Sequence, residues 1–329
     1  MISNTKIHLD KKTILELTKL NISSDDVLEI IELKDGWFNT AYLIEFVNEF
    51  SCVLKVGPPI DADIMNYEIN MMASEVACLK LVSSNIKIPS PKILFSDLSR
   101  SVIQYQYFFM DYLEGKSWDK LKSKLSDHQN NSISHQLGEL TAAINSYESD
   151  FFGYFNLEPK FEMWYETFRS MCLFLFKDAL KYKVLLPINE STFLSVLSRY
   201  KSSFDEVKKA KLIHWDLSGP NIIIRKLSEN NYSLTGVIDF ERALWADPLM
   251  ENILFDINNK NKAYFEGYKH NLLTTANQTI RRIFYNMYLC LIMVIEDGPR
   301  NYDDKSSVTW AFTELKKNFK LLNDQNIDG

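Results

Sequence analysis

The stretch LIHWDLSGPNIII, residues 212–224, is the part of the sequence that decides the fold. It places a histidine, an aspartate and an asparagine between two short runs of residues that are suited to burial. A second apolar run, LTGVIDF at residues 234–240, follows closely and also carries an aspartate near its end. Short apolar runs rich in β-branched residues predict strands. We therefore interpret this region as a polar site carried by a loop and two short strands.

The polar residues of this region lie at spacings that suit one kind of chemistry. Asp216 comes two residues after His214, Asn221 comes five residues after Asp216, and Asp239 ends the next strand. Mg²⁺ prefers oxygen ligands and commonly takes one or two from protein and the rest from phosphates and water. Asn221 and Asp239 could supply that pair, which leaves Asp216 to accept a proton from a hydroxyl nucleophile, as in phosphoryl transfer. His214 is better suited to orienting the loop than to acting as the base.

The composition is that of a globular protein with a large core. The chain has 329 residues, of which 46% are hydrophobic and 13% aromatic, enough for two domains or one large one. A net charge of −6 argues against a nonspecific nucleic-acid binder. The four cysteines lie far apart without a C-x-x-C pair, so the sequence predicts neither a zinc site nor a disulfide framework.

The sequence also lacks the usual signals for secretion and for membrane insertion. Its N-terminus has no apolar h-region, and its most apolar runs are shorter than the roughly 20 residues that span a bilayer. We expect a cytoplasmic protein that does not bind nucleic acid or membrane. The sequence leaves the oligomeric state open.

The pattern of the chain changes near residue 112. Before it, residues 27–57 contain three short runs of strand-forming residues, broken at 35–36 and 48–49, which predict an antiparallel meander. An apolar stripe over residues 65–82 then predicts a helix, and two further strands follow. After residue 117 helical patterns dominate, apart from the region around 212–240. The sequence therefore predicts an α+β fold with a small sheet followed by a mainly helical part.

Two motifs of this region resemble those of a known family. HWDLSGPN at 214–221 and VIDFE at 237–241 resemble the H-x-D-x-x-x-x-N and I-D-F/W-E signatures of the aminoglycoside phosphotransferase and choline kinase-like family, relatives of the protein kinases. ADPLMEN at 246–252 is similar to the family's G-D-P-x-x-D-L. The resemblance implies a bilobal protein-kinase-like fold, with a nucleotide-binding N-lobe at 1–112 and a helical C-lobe at 113–329 that carries catalysis and the acceptor. It also implies ATP or GTP, together with Mg²⁺, as cofactors.

The resemblance implies a nucleotide site in the first part of the chain. Lys55, in CVLKVG, resembles the lysine that contacts the α and β phosphates, which the family pairs with a helix glutamate. Glu68 and Glu75 are both candidates, because they are seven residues apart and would share one face of a helix. We prefer Glu75, since SEVACLKLV followed by IPSPKIL looks like the family's E-x-x-x-L-x-x-L and P-x-P pattern.

The segment FFMDYLEG at 108–115 resembles the hinge of the family. This resemblance assigns Met110 to the adenine pocket and the backbone of Asp111 and Leu113 to hydrogen bonds with the base. Tyr42 could stack on adenine, as an aromatic residue does in some relatives. The place of the phosphate-covering loop is taken by residues 32–44, which contain one glycine where protein kinases have three.

Three departures from the related families bear on the reaction. Trp215 stands where relatives usually carry a small residue, commonly glycine, and Glu251 stands where an aspartate is usual. No Phe-Gly pair or A-P-E-bounded activation segment follows Asp239, so we favour a small-molecule acceptor over a protein.

The resulting prediction is an enzyme that transfers the γ-phosphate of ATP, or of GTP, to a hydroxyl of a small molecule. The alternatives are a nucleotide-binding pseudokinase and a protein kinase. In relatives that phosphorylate aminoglycosides or choline, the acceptor is cationic and meets acidic residues of the helical part. We therefore expect an amine-bearing acceptor, with Glu251, Glu296 and Asp297 as the candidate contacts.

Overall fold

The computed structural model describes residues 5–22, 26–34, 36, 38–228, 231–254, 262–269 and 275–324. The chain folds into two compact units. The first contains Met1–Ile64, Asn70–Leu125 and Gly219–Glu241, and the second contains Met65–Ile69, Ser126–Ser218 and Arg242–Gly329. Both units are discontinuous in sequence, whereas the division predicted at residue 112 gives two continuous segments. The hairpin that follows the His214 loop belongs to the first unit.

The regular elements follow one another along the chain as strands and helices. The strands are β1 Val27–Leu33, β2 Thr40–Phe46, β3 Ser51–Val56, β4 Ile93–Asp97, β5 Tyr107–Asp111, β6 Lys116–Ser117, β7 Glu148–Ser149, β8 Gly153–Tyr154, β9 Ala210–Ile213, β10 Ile222–Ser228, β11 Asn231–Val237 and β12 Leu244–Ala246. The α-helices are α1 Lys11–Ile22, α2 Met71–Val82, α3 Trp118–Lys122, α4 Asp127–Ile144, α5 Trp164–Lys181, α6 Glu190–Arg199, α7 Lys201–Asp205, α8 Lys262–Tyr268, α9 Ala276–Ile295, α10 Asp297–Arg300 and α11 Ser306–Asp324. Short 3₁₀-helices lie at Asn66–Glu68, Gly219–Asn221, Phe240–Arg242 and Pro248–Leu254.

The first unit is built on a five-stranded antiparallel sheet with the order β1-β2-β3-β5-β4. Its two faces differ because side chains alternate along a strand. The pairs Tyr42–Leu54 and Cys52–Asp111 show which side chains share a face, and Tyr42, Leu54 and Cys52 pack with Ile14 of α1 in one apolar core. The pair Lys55–Phe108 lies on the opposite face. The strands predicted over residues 27–57 are present.

A smaller sheet in the first unit has the order β11-β10-β6. The two strands predicted from the apolar runs are β10 and β11, and they pair as an antiparallel hairpin, with Ile222 opposite Val237. Gly115, just before β6, has a φ of +141°, and a Cβ there would lie 2.5 Å from the carbonyl oxygen of Ile224. The close approach of this backbone to β10 therefore requires glycine.

The second unit is mainly helical and has an aromatic core. The ring of Phe168 on α5 lies with its centroid 5.4 Å from that of Tyr285 on α9 and 5.1 Å from that of Phe204 on α7. The indole N–H of Trp164 donates to the hydroxyl of Tyr285 at 2.7 Å. A small sheet with the order β7-β9-β12-β8 lies in the same unit. The predicted combination of a small antiparallel sheet and a mainly helical part is confirmed.

The long apolar helix α9 belongs to this core. Of the helices that the structure describes, none has both the length and the apolarity needed to cross a bilayer.

Candidate active site

The centre of the candidate site in the first unit is the ammonium group of Lys55 on β3. Its Nζ atom lies 2.6 Å from Glu75 Oε2, 2.7 Å from Asp239 Oδ1 and 3.4 Å from Glu241 Oε2. Strand β3 presents Lys55 on the face away from α1, and α2 brings Glu75 to it. Lys55 is 8% exposed and Glu75 is fully buried. Three acidic side chains therefore surround one buried cation.

The pKa values of this cluster reflect both burial and charge. Burial by itself lowers the pKa of the Lys55 ammonium, but Asp239, Glu75 and Glu241 outweigh burial and hold that pKa well above its usual value. Burial raises the pKa of the Glu75 carboxyl to about 7, although the Lys55 ammonium opposes the change. Glu75 Oε1 has no hydrogen-bond partner among the described residues. The three neighbouring carboxylates thus keep Lys55 in its charged form.

Glu68, the other candidate partner of Lys55, lies in the second unit. The predicted helix over residues 65–82 is interrupted: residues 66–68 form a 3₁₀-helix, and α2 begins only at Met71. Asn70 between them has a left-handed φ of +63°, which ends the first helical turn and starts a new one. Glu68 pairs with Arg300 and accepts the backbone N–H of Met65 at 2.9 Å. The assumption of one continuous helix, which placed both glutamates on one face, does not hold.

Asn221 and Asp239 lie at the same end of the hairpin formed by β10 and β11. The N–H of Ile238 donates to the carbonyl oxygen of Asn221 at 3.0 Å, immediately after the Ile222–Val237 pair. Asp239 has a φ of +71°, a conformation that aspartate tolerates better than most residues, and its side chain is 31% exposed. An amide oxygen and a part-exposed carboxylate form the kind of oxygen donor set that Mg²⁺ takes from protein, so these residues fit that ion.

Glu241 and Asn39 belong to the cluster, although no function was predicted for either. The amide Nδ2 of Asn39 donates to Glu241 Oε2 at 2.6 Å, and both residues are buried. Carboxylate oxygens of Glu75, Asp239 and Glu241 all lie within 4.8 Å of one another. The VIDFE motif contained Glu241 and could have identified it, because the motif ends on that residue. No pattern in the sequence pointed to Asn39.

The predicted adenine-pocket residues divide between the two faces of the five-stranded sheet. Met110 on β5 lies opposite Val53 and therefore shares the face of Lys55. Tyr42 lies on the other face, where its hydroxyl accepts the backbone N–H of Leu9 at 2.9 Å and its ring packs in the core with α1. A residue on that face cannot stack on a base bound near Lys55, so we leave Tyr42 out of the site.

The segment after β5 holds the predicted hinge residues. The backbone N–H of Asp111 donates to the carbonyl oxygen of Lys92 at 3.0 Å, so this donor is already used. The side chain of Leu113 packs close to Gly236, where an added Cβ would lie 2.6 Å from Leu113 Cδ1. The segment is fixed by these contacts, and the base contacts of Asp111 and Leu113 stay a prediction.

The loop that carries His214 and Asp216 lies in the second unit, after β9. His214 is fully buried, and its Nδ1 accepts the backbone N–H of Asp216 at 3.2 Å. A ring nitrogen that accepts an N–H is unprotonated, so the imidazole shapes the turn around Asp216 rather than donating there. The backbone N–H of Ser218 in turn donates to the carbonyl oxygen of Asp216 at 2.8 Å. Asp216 is half-buried, and both its backbone N–H and its carbonyl oxygen are hydrogen-bonded within the turn.

Glu251 holds the same loop through hydrogen bonds to its backbone. Its Oε2 accepts the backbone N–H of His214 at 2.5 Å and that of Trp215 at 3.1 Å. Glu251 is fully buried. Burial raises the pKa of its carboxyl to about 8, although the two backbone hydrogen bonds oppose the change. Through these contacts Glu251 stabilises the loop. Its role as an acceptor contact stays a prediction.

Trp215 has the backbone conformation that explains why a small residue is usual at its position. Its φ is +66°, in the left-handed region that glycine adopts freely and a bulky residue rarely does. The indole is 3% exposed, with its ring centroid 5.8 Å from that of Tyr288 and 5.9 Å from the guanidinium carbon of Arg242. Packing of the indole and the two hydrogen bonds to Glu251 hold the strained backbone in place.

The remaining predicted acceptor contacts lie at the end of α9 in the second unit. Glu296 is 9% exposed, accepts a hydrogen bond from the hydroxyl of Tyr67, and pairs with Arg242 at 3.2 Å. Asp297 is less buried; it pairs with Lys305 and accepts the backbone N–H of Tyr302 at 3.1 Å. Both carboxylates therefore already have partners within the protein.

Comparison with solved structures identifies the fold. A thermostable mutant of aminoglycoside phosphotransferase APH(4)-Ia, in a ternary complex with AMP-PNP and hygromycin B, is 15% identical with a TM-score of 0.64, over 94% of this chain and 98% of that chain. APH(2")-IIa in a streptomycin–ATP ternary complex is 18% identical with a TM-score of 0.62, over 96% and 99% of the two chains. A candidate aminoglycoside phosphotransferase from Ralstonia eutropha JMP134 is 11% identical with a TM-score of 0.67, over 96% and 99%.

At these identities the similarity establishes the fold alone, which is the predicted kinase-like fold. A comparison with curated protein sequences found no significant match. The profile of the phosphotransferase enzyme family matches residues 29–254, which is well over half of the chain and includes every residue of the Lys55 cluster. From that match, together with the H-x-D-x-x-x-x-N and I-D-F-E motifs and the lysine and carboxylates gathered behind them, we conclude that the chain belongs to the phosphotransferase enzyme family.

Proposed function

We propose that the protein transfers the γ-phosphate of ATP to a hydroxyl of a small, amine-bearing molecule. The observation that carries this proposal is the contact of Lys55 with Glu75 and Asp239, at 2.6 Å and 2.7 Å, in a chain of this family. A buried lysine held between a helix glutamate and the aspartate of a D-F-E segment supports a site for nucleotide phosphates. The kinase relatives use the same three functional groups for that purpose.

The nucleotide would bind on the Lys55 face of the five-stranded sheet. Lys55 would contact the α and β phosphates, with Met110 against the base and the backbone of Asp111 and Leu113 as hydrogen-bonding groups. Asn221 and Asp239 would hold Mg²⁺, which when bound neutralises the charge of the phosphates. The Asp239 carboxylate contacts Lys55 in this structure. When the nucleotide binds, Lys55 would contact the phosphates, and Asp239 would contact Mg²⁺.

Asp216 would act on the acceptor. Its carboxylate would orient the acceptor hydroxyl and take its proton while the bond from the acceptor oxygen to the γ-phosphorus forms. The bond from the γ-phosphorus to the oxygen bridging the β and γ phosphates breaks, and the nucleoside diphosphate leaves. His214 and Glu251 would be positioning residues, because both contact the backbone of the loop that carries Asp216. Phosphoryl transfer depends mainly on alignment and charge neutralisation, which these groups provide.

Two observations support an amine group on the acceptor. Relatives of the same fold have been solved with hygromycin B and with streptomycin, which are aminoglycosides. An acidic chain of net charge −6 also attracts cations over long distances, an effect that salt weakens. Asp297, the more exposed of the two carboxylates at the end of α9, is the acceptor contact we favour, because Glu251 and Glu296 are buried whereas the partner of Asp297, Lys305, is an exposed lysine.

The test is a measurement of nucleoside diphosphate release with ATP and with GTP across a panel of acceptors. The panel would contain aminoglycosides, amino sugars, choline, neutral sugars, macrolides and a peptide library. Release that depends on an amine-bearing acceptor would support the proposal. Release only with peptides would indicate a protein kinase, and nucleotide binding without release in any reaction would indicate a pseudokinase. A response confined to uncharged acceptors would refute the amine.

A further inference from the structure

The contact between Asn39 and Glu241 joins two segments that are far apart in sequence. Asn39 directly precedes β2, in the stretch that takes the place of the phosphate-covering loop, and Glu241 lies two residues after Asp239. The Asn39 amide donates to Glu241 Oε2 at 2.6 Å, and the same oxygen lies 3.4 Å from Lys55 Nζ. Asn39 is 4% exposed and Glu241 is 8% exposed. One buried carboxylate oxygen thus contacts both the loop and the lysine.

The composition of the loop explains why it needs such a contact. Residues 32–44 contain a single glycine, Gly36, so close approach of several backbone N–H groups to a phosphate is not available in the way that a glycine-rich loop allows. Asn39, at the end of this stretch directly before β2, is instead held by its side chain. A hydrogen bond to a charged partner is stronger than a neutral one, and burial removes the competition from water.

A second feature of Asn39 points to a cation or a hydrogen-bond donor at the site, because an amide oxygen accepts and cannot bond to a phosphate oxygen. Its Oδ1 atom is buried and has no hydrogen-bond partner among the described residues. A buried acceptor without a partner destabilises the folded state, so a purely structural asparagine would be expected to pair both ends of its amide. Glu241 sets the orientation of the amide, because its Oε2 accepts the hydrogen bond from Asn39 Nδ2. The amide oxygen Oδ1 is therefore directed away from Glu241 Oε2.

We propose that Asn39 and Glu241 are positioning residues for the nucleotide phosphates, with Glu241 holding the loop before β2 in place through the Asn39 amide. This inference rests on the proposed nucleotide site at Lys55. It adds that the loop is fixed by one specific hydrogen bond, and that the D-F-E segment controls phosphate binding through Glu241 as well as through Asp239. Loss of the bond releases the loop while the Lys55–Glu75 pair remains.

The experiment exchanges donor and acceptor across the contact. The variants are Asn39→Asp, Glu241→Gln and the double variant Asn39→Asp with Glu241→Gln, and the measurement is calorimetric binding of Mg·AMP-PNP. Asn39→Asp places two carboxylates against each other, and Glu241→Gln removes the charged acceptor. We expect each single variant to weaken binding about tenfold or more, the range for a hydrogen bond to a charged group. The double variant keeps one carboxylate and one amide, so we expect recovery to within about threefold of the original affinity.

Two control variants change the charge by the same amounts elsewhere. Asn131→Asp alters an exposed residue of α4, and Glu29→Gln alters an exposed residue of β1. Both should bind Mg·AMP-PNP like the unchanged protein. Thermal unfolding of every variant shows whether it is folded; Asn39→Ala, which removes the bond without adding charge, replaces Asn39→Asp if that variant does not fold.

The possible failures are distinguishable. If the unchanged protein does not bind Mg·AMP-PNP, the proposed nucleotide site is wrong and this inference falls with it. If it binds, but the single variants at positions 39 and 241 bind equally well, the inference alone is overturned. It is also overturned if the double variant is as weak as the sum of the two single losses, because then the hydrogen bond is not the cause.

Discussion

Replacement of Trp215 by glycine and by alanine tests the strained backbone of the loop that carries Asp216. Both replacements remove the same buried indole, so each should lose about 3–5 kcal/mol of packing relative to the unchanged protein. They differ in the backbone. At a φ of +66° alanine retains a strain of about 1–2 kcal/mol, which glycine relieves. Glycine also increases the conformational entropy of the unfolded chain, which lowers the stability of the glycine variant by about 0.5–1 kcal/mol relative to alanine.

The net expectation is that Trp215→Gly is more stable than Trp215→Ala by up to about 1.5 kcal/mol, the reverse of the usual order. The assay is urea denaturation followed by circular dichroism, with the free energy of unfolding compared between the two variants. The matched control is Trp310, which is 54% exposed on α11. There, in an ordinary helix, the alanine variant should be the more stable by about 1 kcal/mol. If alanine is also the better residue at position 215, the proposed backbone strain is refuted.

Three further predictions concern the loop that carries Asp216, the proposed metal ligand Asp239, and Glu251. Asp216→Asn should lower turnover by about 10²–10⁴ and leave Mg·ATP affinity near normal, since it removes a positioned base; undiminished turnover in steady-state kinetics would exclude that role. Asp239→Ala should abolish Mg²⁺-dependent nucleotide binding because a carboxylate ligand is lost, and an unchanged affinity by calorimetry would contradict the metal assignment. Burial raises the pKa of the Glu251 carboxyl to about 8, so the folded state favours the protonated form. The protonated carboxyl therefore stabilises the fold fully below the ordinary pKa of about 4.3. This stabilisation is lost as the pH rises through about 8. The stability of the unchanged protein relative to Glu251→Gln should therefore fall between about pH 5 and about pH 9, and a difference independent of pH would show that the Glu251 pKa is not raised.

The sequence by itself determined what depends on neighbours along the chain. The spacing of His214, Asp216 and Asn221, and the Asp239 that follows the next apolar run, indicated the chemistry that we propose, because those residues lie on one loop and next to one hairpin. Short runs rich in strand-forming residues predicted the strands and the position of Lys55 on the third of them. The conformational preferences of neighbouring residues decide these features, and they can be recognised in a single sequence.

Only the tertiary structure decided which distant groups meet. Glu75 rather than Glu68 contacts Lys55, because the left-handed Asn70 breaks the helix that the apolar stripe predicted as continuous. Tyr42 faces α1 because strand register, which depends on the partner strand, sets the face of every side chain.

The support of the loop by Glu251 and the bond from Asn39 to Glu241 join residues far apart along the chain. Such contacts form when apolar packing brings elements together and buried polar groups must find partners. No local period encodes which partner each of them finds.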